Sequence, residues 1–244
     1  MAGIIFGRQP VLEVLKSKHS INKVYIAQGL KGSIIDTIFR LAREAKIVVQ
    51  FIDKKRLDQI TDRANHQGVA AQVASVAYVE LDQILDSLEN KKDALLVLLD
   101  RVTDPHNLGA IVRSAHQLGA DAIIIPKRDA CGINETVAKV SAGAIEYLPV
   151  IQANNLVQVI EKCKIRGFWV AGAEANGKKC FEQDLTGKLV LALGSEGYGL
   201  QKLILEKCDF IVSIPQTGKL DSLNVSCAAS VLLYEISRQR LQKS

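Results

Sequence analysis

Apolar and polar residues alternate along this 244-residue chain with two periods, which together predict an α/β protein. Short, continuous apolar runs at 94–99, 188–193 and 210–214 are typical of strands that are buried on both faces. Between such runs, apolar residues recur three and four positions apart, as they do along one face of a helix. Because strand and helix alternate through residues 94–244, we predict a mostly parallel sheet with helices on both of its faces.

The first 76 residues carry a smaller pattern of the same kind. It predicts helices that begin near residues 8, 34 and 54, and strands at 23–27, 47–52 and 69–76. We therefore predict an N-terminal α/β domain at 1–76, close to the lower size limit for independent folding. The segment 77–93 carries a weak helical stripe of apolar residues, so we interpret it as a linker with a lead-in helix to a second domain at 94–244.

The other elements of the larger domain follow from the same two periods. They are predicted helices at 108–118, 134–141, 156–165 and 200–207, and predicted strands at 122–125 and 168–173. A final helix is predicted from Val225 to about Arg240, with its apolar positions at 225, 228, 229, 232, 233 and 236.

The net charge of +5 is modest, but the basic excess lies in the first third of the chain. Residues 1–76 hold twelve Lys and Arg against six Asp and Glu, whereas the remainder is nearly balanced. This asymmetry is typical of a domain that meets a polyanion, although a lysine-rich solvated surface would look the same. The candidate phosphate contacts, each also explicable as plain surface charge, are Arg8, Lys54, Lys55, Arg56 and His66.

Several functional classes lack their sequence signals. No apolar run approaches the eighteen or so residues of a membrane helix, and the first residues do not resemble a secretory signal, so we predict a cytoplasmic protein. No dinucleotide-binding or phosphate-loop glycine motif follows the first strand of the larger domain. The five cysteines and four histidines lack metal-ligand spacing, so no metal site is predicted, and Cys227 is expected in the core of the last helix.

Three polar, glycine-bearing stretches at 104–113, 194–199 and 214–226 are the candidate functional loops. In the last one, Pro215 ends a strand because it has no N–H, and Gly218 permits a left-handed turn. Ligands in open α/β sheets bind at the carboxyl ends of the strands, where such loops lie. Taken singly, each stretch is equally explicable as an ordinary strand-to-helix connection with a helix cap.

Together the three stretches carry motifs that resemble those of the SpoU/TrmH family of RNA 2′-O-ribose methyltransferases. The motifs are Asn107-x-Gly109-x-x-x-Arg113, Leu193-Gly194-Ser195-Glu196-Gly197-x-Gly199 and Ile214-Pro215-x-x-Gly218-x-x-x-Ser222-Leu223-Asn224-Val225. Near the N-terminus, Gly7-x-x-Pro10 and His66-Gln67-Gly68 are similar to the family's small substrate-binding domain, which has a ribosomal-protein-like α/β fold.

The resemblance implies a deep trefoil knot in the C-terminal domain, although knots are otherwise essentially absent from proteins. It also implies S-adenosylmethionine as the cofactor and a homodimer with active sites beside the interface. The match is strongest to members that methylate a guanosine ribose in the peptidyl-transferase region of 23S rRNA, the large-subunit rRNA. The alternatives are the same reaction on a tRNA ribose or another rRNA site, and a non-catalytic RNA-binding assembly factor.

By the same resemblance, the site residues fall into two groups. The catalytic group is Arg113, Asn107, Glu196, Ser222 and Asn224, and the cofactor-binding group is Gly194, Ile214, Leu223, Gly197 and Gly218. Arg113 is a poor general base, because a guanidinium stays protonated, so we expect it to hold a phosphate and stabilise a developing alkoxide. Plain alternatives are core packing for Ile214 and Leu223, helix capping for Ser222 and a solvated carboxylate for Glu196.

Overall fold

The structure is a computed structural model that describes residues 3–16, 21–45, 47–73, 78–218 and 222–243. These residues form two compact units. The first takes in residues 3–73 and 133–147, and the second takes in residues 78–132 and 148–243. Among the residues so described, no helix combines the length and the apolar content that a membrane span requires.

The first unit is built on a four-stranded mixed sheet in the order β1-β4-β2-β3. Its elements are β1 (Gly3–Phe6), α1 (Arg8–Lys16), β2 (Ile21–Ala27), α2 (Ser33–Glu44), β3 (Val48–Ile52), α3 (Lys54–Ile60) and β4 (Val69–Val73). β4 runs antiparallel to both β1 and β2, whereas β2 and β3 are parallel. The predicted helices and strands of this region are present among the described residues, while positions 74–76 of the last predicted strand lie outside them. β1, which the sequence pattern did not indicate, forms one edge of the sheet.

A stretch from the middle of the chain completes the first unit. It contains helix α6 (Glu135–Val140) and a 3-10 turn at Ala144–Glu146. The ammonium of Lys139 lies 5.4 Å from the ring centroid of Phe6, and the Tyr147 hydroxyl donates to Glu13 Oε2 at 3.3 Å. The pattern predicted a helix at 134–141, but it did not indicate that this helix packs on the N-terminal sheet.

The second unit is built on a six-stranded parallel sheet in the order β10-β8-β9-β5-β6-β7. Its strands are β5 (Ala94–Leu99), β6 (Ala122–Pro126), β7 (Val150–Ala153), β8 (Trp169–Lys179), β9 (Lys188–Leu193) and β10 (Phe210–Ser213). Its helices are α4 (Leu81–Ser87), α5 (Pro105–Gln117), α7 (Leu156–Ile165), α8 (Lys202–Leu205) and α9 (Val225–Lys243). The predicted α/β class with a mostly parallel sheet is confirmed, while the trefoil knot stays a prediction.

Two details of the second unit differ from the sequence pattern. β8 continues six residues beyond its predicted end, and its register against β10 shifts between Ile211 and Val212. The segment 77–93 contributes α4, whose Leu81 and Leu85 join the buried core together with Leu88. This segment is therefore packed into the second unit over most of its length.

The last helix, α9, buries the face that the apolar spacing indicated, with Val225, Leu232 and Ile236 inside. Cys227 lies on the opposite face and is exposed, so the expectation of a core cysteine there was wrong. The reason is geometric, because residue 227 is about 200° around the helix from residue 225.

Candidate active site

Strands β9 and β10 of the second unit end beside one cavity of about 500 Å³, and the middle of β8 forms part of its wall. β5, β9 and β8 are adjacent parallel strands, and β10 lies beside β8, so their carboxyl ends share one edge of the sheet. The cavity is lined by residues 193–199 after β9, by residues after β10, by the start of α9 and by Ala173–Ala175 of β8. The sequence-based expectation that ligand-binding loops gather at this edge agrees with this geometry.

The loop 194–199 turns back on itself tightly enough to exclude side chains at two positions. Gly199 N–H donates to Ser195 O at 3.0 Å, which closes the turn. A Cβ at Gly194 would lie 2.0 Å from the carbonyl carbon of Gly199. Gly199 has a φ of +62°, and a Cβ there would meet a carboxylate oxygen of Glu174 at 2.6 Å. Glycine is thus required by close backbone approach at Gly194 and by both approach and conformation at Gly199.

Asn107, Glu196 and Asn224 form one hydrogen-bonded network beside the cavity. The Asn107 Nδ2 group donates to Glu196 Oε1 at 3.2 Å, and the Asn224 Nδ2 group donates to Asn107 Oδ1 at 3.0 Å. Asn224 Nδ2 also donates to Glu196 Oε1, as does the backbone N–H of Val225 at 3.4 Å. A single carboxylate oxygen of Glu196 therefore links α5 and α9 to the loop 194–199.

Asn224 also caps α9. Its Oδ1 accepts hydrogen bonds from the backbone N–H groups of Ser226 at 2.9 Å and Cys227 at 3.4 Å. The side chain thus uses its acceptor for the helix and its donor for the network, which fixes its orientation. Helix capping was the plain alternative for Ser222, but the residue whose side chain caps α9 is Asn224.

The predicted cofactor-binding residues are only partly brought together. Gly194, Gly197, Ile214 and Leu223 line the cavity, as do Glu196 and Ser222 of the predicted catalytic group. Gly218 does not line it and has open space where a Cβ would be.

Arg113 is exposed on α5 and does not line the cavity of its own chain. It makes no hydrogen bond or ion pair with the residues that the structure describes. Its neighbour Ser114 contacts Ser230 of α9 through the two hydroxyls at 2.8 Å, so Arg113 projects from the α5–α9 pair. Its guanidinium is therefore available to a phosphate or to another chain.

Two acidic side chains that sequence reasoning missed support the loop. Asp100, which is fully buried, accepts from the backbone N–H of Gln201 at 2.7 Å and from its side-chain amide at 2.9 Å. Glu174 accepts from the backbone N–H of Leu200 at 2.7 Å. The position of Asp100, directly after a continuously apolar strand, is the one signal in the sequence that could have indicated its role.

The cavity has the size and chemistry of a site for a nucleoside-like molecule. Its volume lies within the range of small-molecule sites, and its wall combines apolar side chains such as Ile214 and Leu232 with backbone groups of the glycine loop. Glu174 and Glu196 add carboxylates that suit a cationic ligand. S-adenosylmethionine, which joins an adenine and a ribose to a methionine tail through a positively charged sulfonium, is compatible with each of these features.

A parallel α/β sheet with a cavity at the carboxyl edge of its strands is typical of proteins that bind a nucleoside-like ligand. Residues 94–234 match the SpoU rRNA methylase family, and residues 4–79 match the family described as RNA 2′-O ribose methyltransferase substrate binding. The chain therefore belongs to the SpoU/TrmH family of RNA methyltransferases, whose cofactor is S-adenosylmethionine.

The similarity to relatives covers almost the whole chain. A Staphylococcus haemolyticus protein named for the TrmH family of tRNA/rRNA methyltransferases is 43% identical over 242 residues, which is 98% of this chain and 96% of that protein. A Bacillus subtilis protein named for the same family is 42% identical over 239 residues, 97% of this chain and 95% of that one. The crystal structure of the SpoU methyltransferase AviRb from Streptomyces viridochromogenes with S-adenosylmethionine has a TM-score of 0.84 at 26% identity, covering 98% and 90% of the two chains.

Proposed function

We propose that this protein transfers the methyl group of S-adenosylmethionine to the ribose 2′-hydroxyl of a guanosine in the peptidyl-transferase region of 23S rRNA. The observation that carries the proposal is the convergence of Asn107, Glu196 and Asn224 beside the cavity at the carboxyl edge of the sheet. A 2′-hydroxyl target makes RNA the substrate, since DNA lacks this group. We also propose a cytoplasmic location.

The cavity would hold the cofactor through its glycine loop and its apolar wall. The backbone groups of Gly194 and Gly197 would be accessible to the cofactor because these residues have no side chain, and Ile214 and Leu223 would supply apolar surface for its adenine. When bound, S-adenosylmethionine supplies an electrophilic methyl group on a sulfonium. The protein's task is then alignment of the ribose oxygen with that methyl group more than the supply of charge.

The Asn107–Glu196–Asn224 network would hold the loop 194–199 and the start of α9 in a fixed position relative to α5. α5 is the helix that carries Arg113. Arg113 would bind the phosphate next to the target ribose and stabilise negative charge that develops on the 2′-oxygen. The proton of the 2′-hydroxyl must pass to an acceptor other than Arg113, because a guanidinium remains protonated at any physiological pH.

A homodimer is part of the proposal and is supported by the outer face of α9. Exposed side chains follow one stripe of this helix, including Val231 at 42% exposure, Tyr234 at 60% and Leu241 at 75%. Cys227 lies on the same stripe. A run of exposed apolar groups on one helix face is typical of a surface that another protein covers. Because α9 also contributes to the wall of the cavity, a second copy placed on this helix would lie beside the site.

The experiment that tests the reaction uses purified full-length protein, tritiated S-adenosylmethionine and in vitro transcribed 23S rRNA or bulk tRNA. We expect label in the rRNA, and mapping of 2′-O-methyl groups should place it on one guanosine that lacks methylation in a deletion strain. Label in tRNA alone would assign the same chemistry to a different substrate. Cofactor binding without transfer to either RNA would favour an RNA-binding assembly factor.

Replacement of Arg113 by Ala tests the assignment of the central catalytic residue. We expect methyl transfer to fall to background while S-adenosylmethionine affinity stays within about twofold of wild type, because Arg113 lies outside the cavity. Calorimetric titration with the cofactor, beside the transfer assay, separates the two effects. Equal loss of binding and transfer would instead make Arg113 a structural residue.

A further inference from the structure

The first unit contains a second cavity, of about 750 Å³, that the transfer reaction does not use. Four segments enclose it: the loop 28–30 after β2, the start of α1, the side of α3, and the turn 64–68 before β4. All four belong to the unit that matches the family's substrate-binding domain.

The turn before β4 is held in an unusual conformation by a buried histidine. The His66 ring is 5% exposed; its Nε2 lies 2.8 Å from Asp58 Oδ1, and its Nδ1 accepts from the backbone N–H of Gly68 at 2.9 Å. The adjacent Gln67 has a φ of +51°, which an L residue adopts only when its surroundings enforce it. Both ring nitrogens of His66 already have hydrogen-bond partners within the protein, so this residue forms part of the cavity wall. The sequence had allowed His66 as a phosphate contact, and the structure does not support that role.

Two cations border the cavity and are available to a ligand. Arg8 donates from Nε to Gln67 O at 3.2 Å, while its two terminal nitrogens make no hydrogen bond with the described residues. Lys54 is exposed and forms no ion pair with the part of the chain that the structure describes. The acidic residue in the described lining is Asp58, whose carboxylate already faces His66. The cavity therefore presents unpaired positive charge.

The rest of the wall offers apolar surface and amide groups side by side. Ala27, Leu30 and Ala64 supply the apolar part, and the side chains of Gln28 and Asn65 supply hydrogen-bond donors and acceptors. This combination matches a nucleotide, which has an apolar face, a polar base edge and a phosphate. A paired base would keep its edge inside the duplex, so the matching ligand is unpaired.

We propose that this cavity receives one unpaired nucleotide of the RNA substrate, with Arg8 and Lys54 on its phosphate and the amide side chains on its base. The inference rests on the proposed function in that the substrate is RNA. It adds a second recognition point, in a different unit from the methyl-transfer site, that would select RNA by the presence of an unpaired nucleotide.

The test compares Lys54→Glu with Lys55→Glu in the full-length protein. The two lysines are adjacent on α3 and both are exposed, so the two variants change the net charge equally. Lys55, which the sequence also allowed as a phosphate contact, does not line the cavity. The probe is a fluorescein-labelled nine-nucleotide single-stranded RNA of mixed sequence, followed by anisotropy, with its duplex as the comparison. We expect Lys54→Glu to weaken single-strand binding about tenfold, as loss of one charge-assisted contact does, and Lys55→Glu to weaken it less than about twofold.

Other outcomes would overturn the inference in distinguishable ways. Equal weakening by both variants would mean diffuse electrostatic attraction without a site. If the Lys54→Glu protein bound the single-stranded RNA as tightly as wild type and still methylated rRNA, the proposed nucleotide site would be refuted. The proposed function would not be affected by that result. Equal effects of Lys54→Glu on single strand and duplex would remove the requirement for an unpaired nucleotide. Wild-type protein that neither binds nor methylates RNA would refute the proposed function and this inference together.

Discussion

Gly194 has less room for a side chain than any other glycine in the described part of the chain. A Cβ there would lie 2.0 Å from the carbonyl carbon of Gly199 and 2.2 Å from the nitrogen of Leu200. These are backbone atoms, which cannot move aside as a flexible side chain can. The whole loop 194–199 would have to shift, and with it the wall of the cofactor cavity.

We therefore expect Gly194→Ala to weaken S-adenosylmethionine binding about tenfold or more, measured by calorimetry. The matched control is Gly218→Ala, because Gly218 does not adopt the left-handed conformation that the sequence had allowed and has nothing within 4 Å of a built Cβ. The control also tests the sequence-based assignment of Gly218 to the cofactor. Wild-type affinity in Gly194→Ala would show that the cofactor binds elsewhere.

At the scale of elements, the 3-10 turn at Ala144–Glu146 contains a titratable group in an unfavourable place. Glu146 is 7% exposed, and burial raises the pKa of its carboxyl from 4.5 to about 7. The folded state therefore favours the protonated form. As the pH rises from about 4.5 to 7, Glu146 ionises in the unfolded chain but stays largely protonated in the folded chain. The free energy of unfolding therefore falls over this pH range.

We expect Glu146→Gln to remove this loss, because the amide has nearly the same shape and no charge. Urea denaturation should show equal stability at pH 4.5 and a gain for the variant at pH 8, with an upper limit of about 3 kcal/mol. The exposed Glu89→Gln serves as the control and should show no such difference. A variant that is less stable than wild type at pH 8 would mean that the ionised carboxylate makes a favourable interaction.

At the scale of the whole molecule, the proposed homodimer depends on the exposed stripe of α9. Replacement of Tyr234 by Glu would place a charge in the centre of an apolar contact, so we expect a monomer by analytical ultracentrifugation and loss of methyl transfer. Leu203→Glu, a change of an equally exposed apolar residue on α8, should leave the dimer intact. If the Tyr234→Glu protein remained a dimer, the dimer interface would not include this face of α9.

The dimer also offers a way to decide which site Arg113 serves. Mixed and reassociated Arg113→Ala and Glu196→Ala proteins should recover up to about a quarter of wild-type activity if Arg113 acts on the partner's site, because half of the dimers are mixed and each has one complete site. If Arg113 acts on its own site, every site in the mixture lacks one group and activity stays at background.

The amino-acid pattern was sufficient to predict the α/β class, nearly all of the helices and strands, and six of the residues that line the cavity. Apolar spacing defines which face of a helix is buried, and glycine and proline mark where strands give way to loops. Gly194, Ile214 and Leu223 were indicated by the resemblance of their motifs to the family, and they line one cavity because the loops that follow parallel strands share one edge of a sheet.

Only the tertiary structure decided which elements cover one another. Asn107 and Asn224 are 117 positions apart, and nothing in their local spacing indicates that they share a carboxylate. The same holds for the packing of residues 133–147 in the N-terminal unit and for the burial of His66. The physical reason is that periodicity encodes the orientation of a face along one element, whereas its partner is selected by packing of the whole chain.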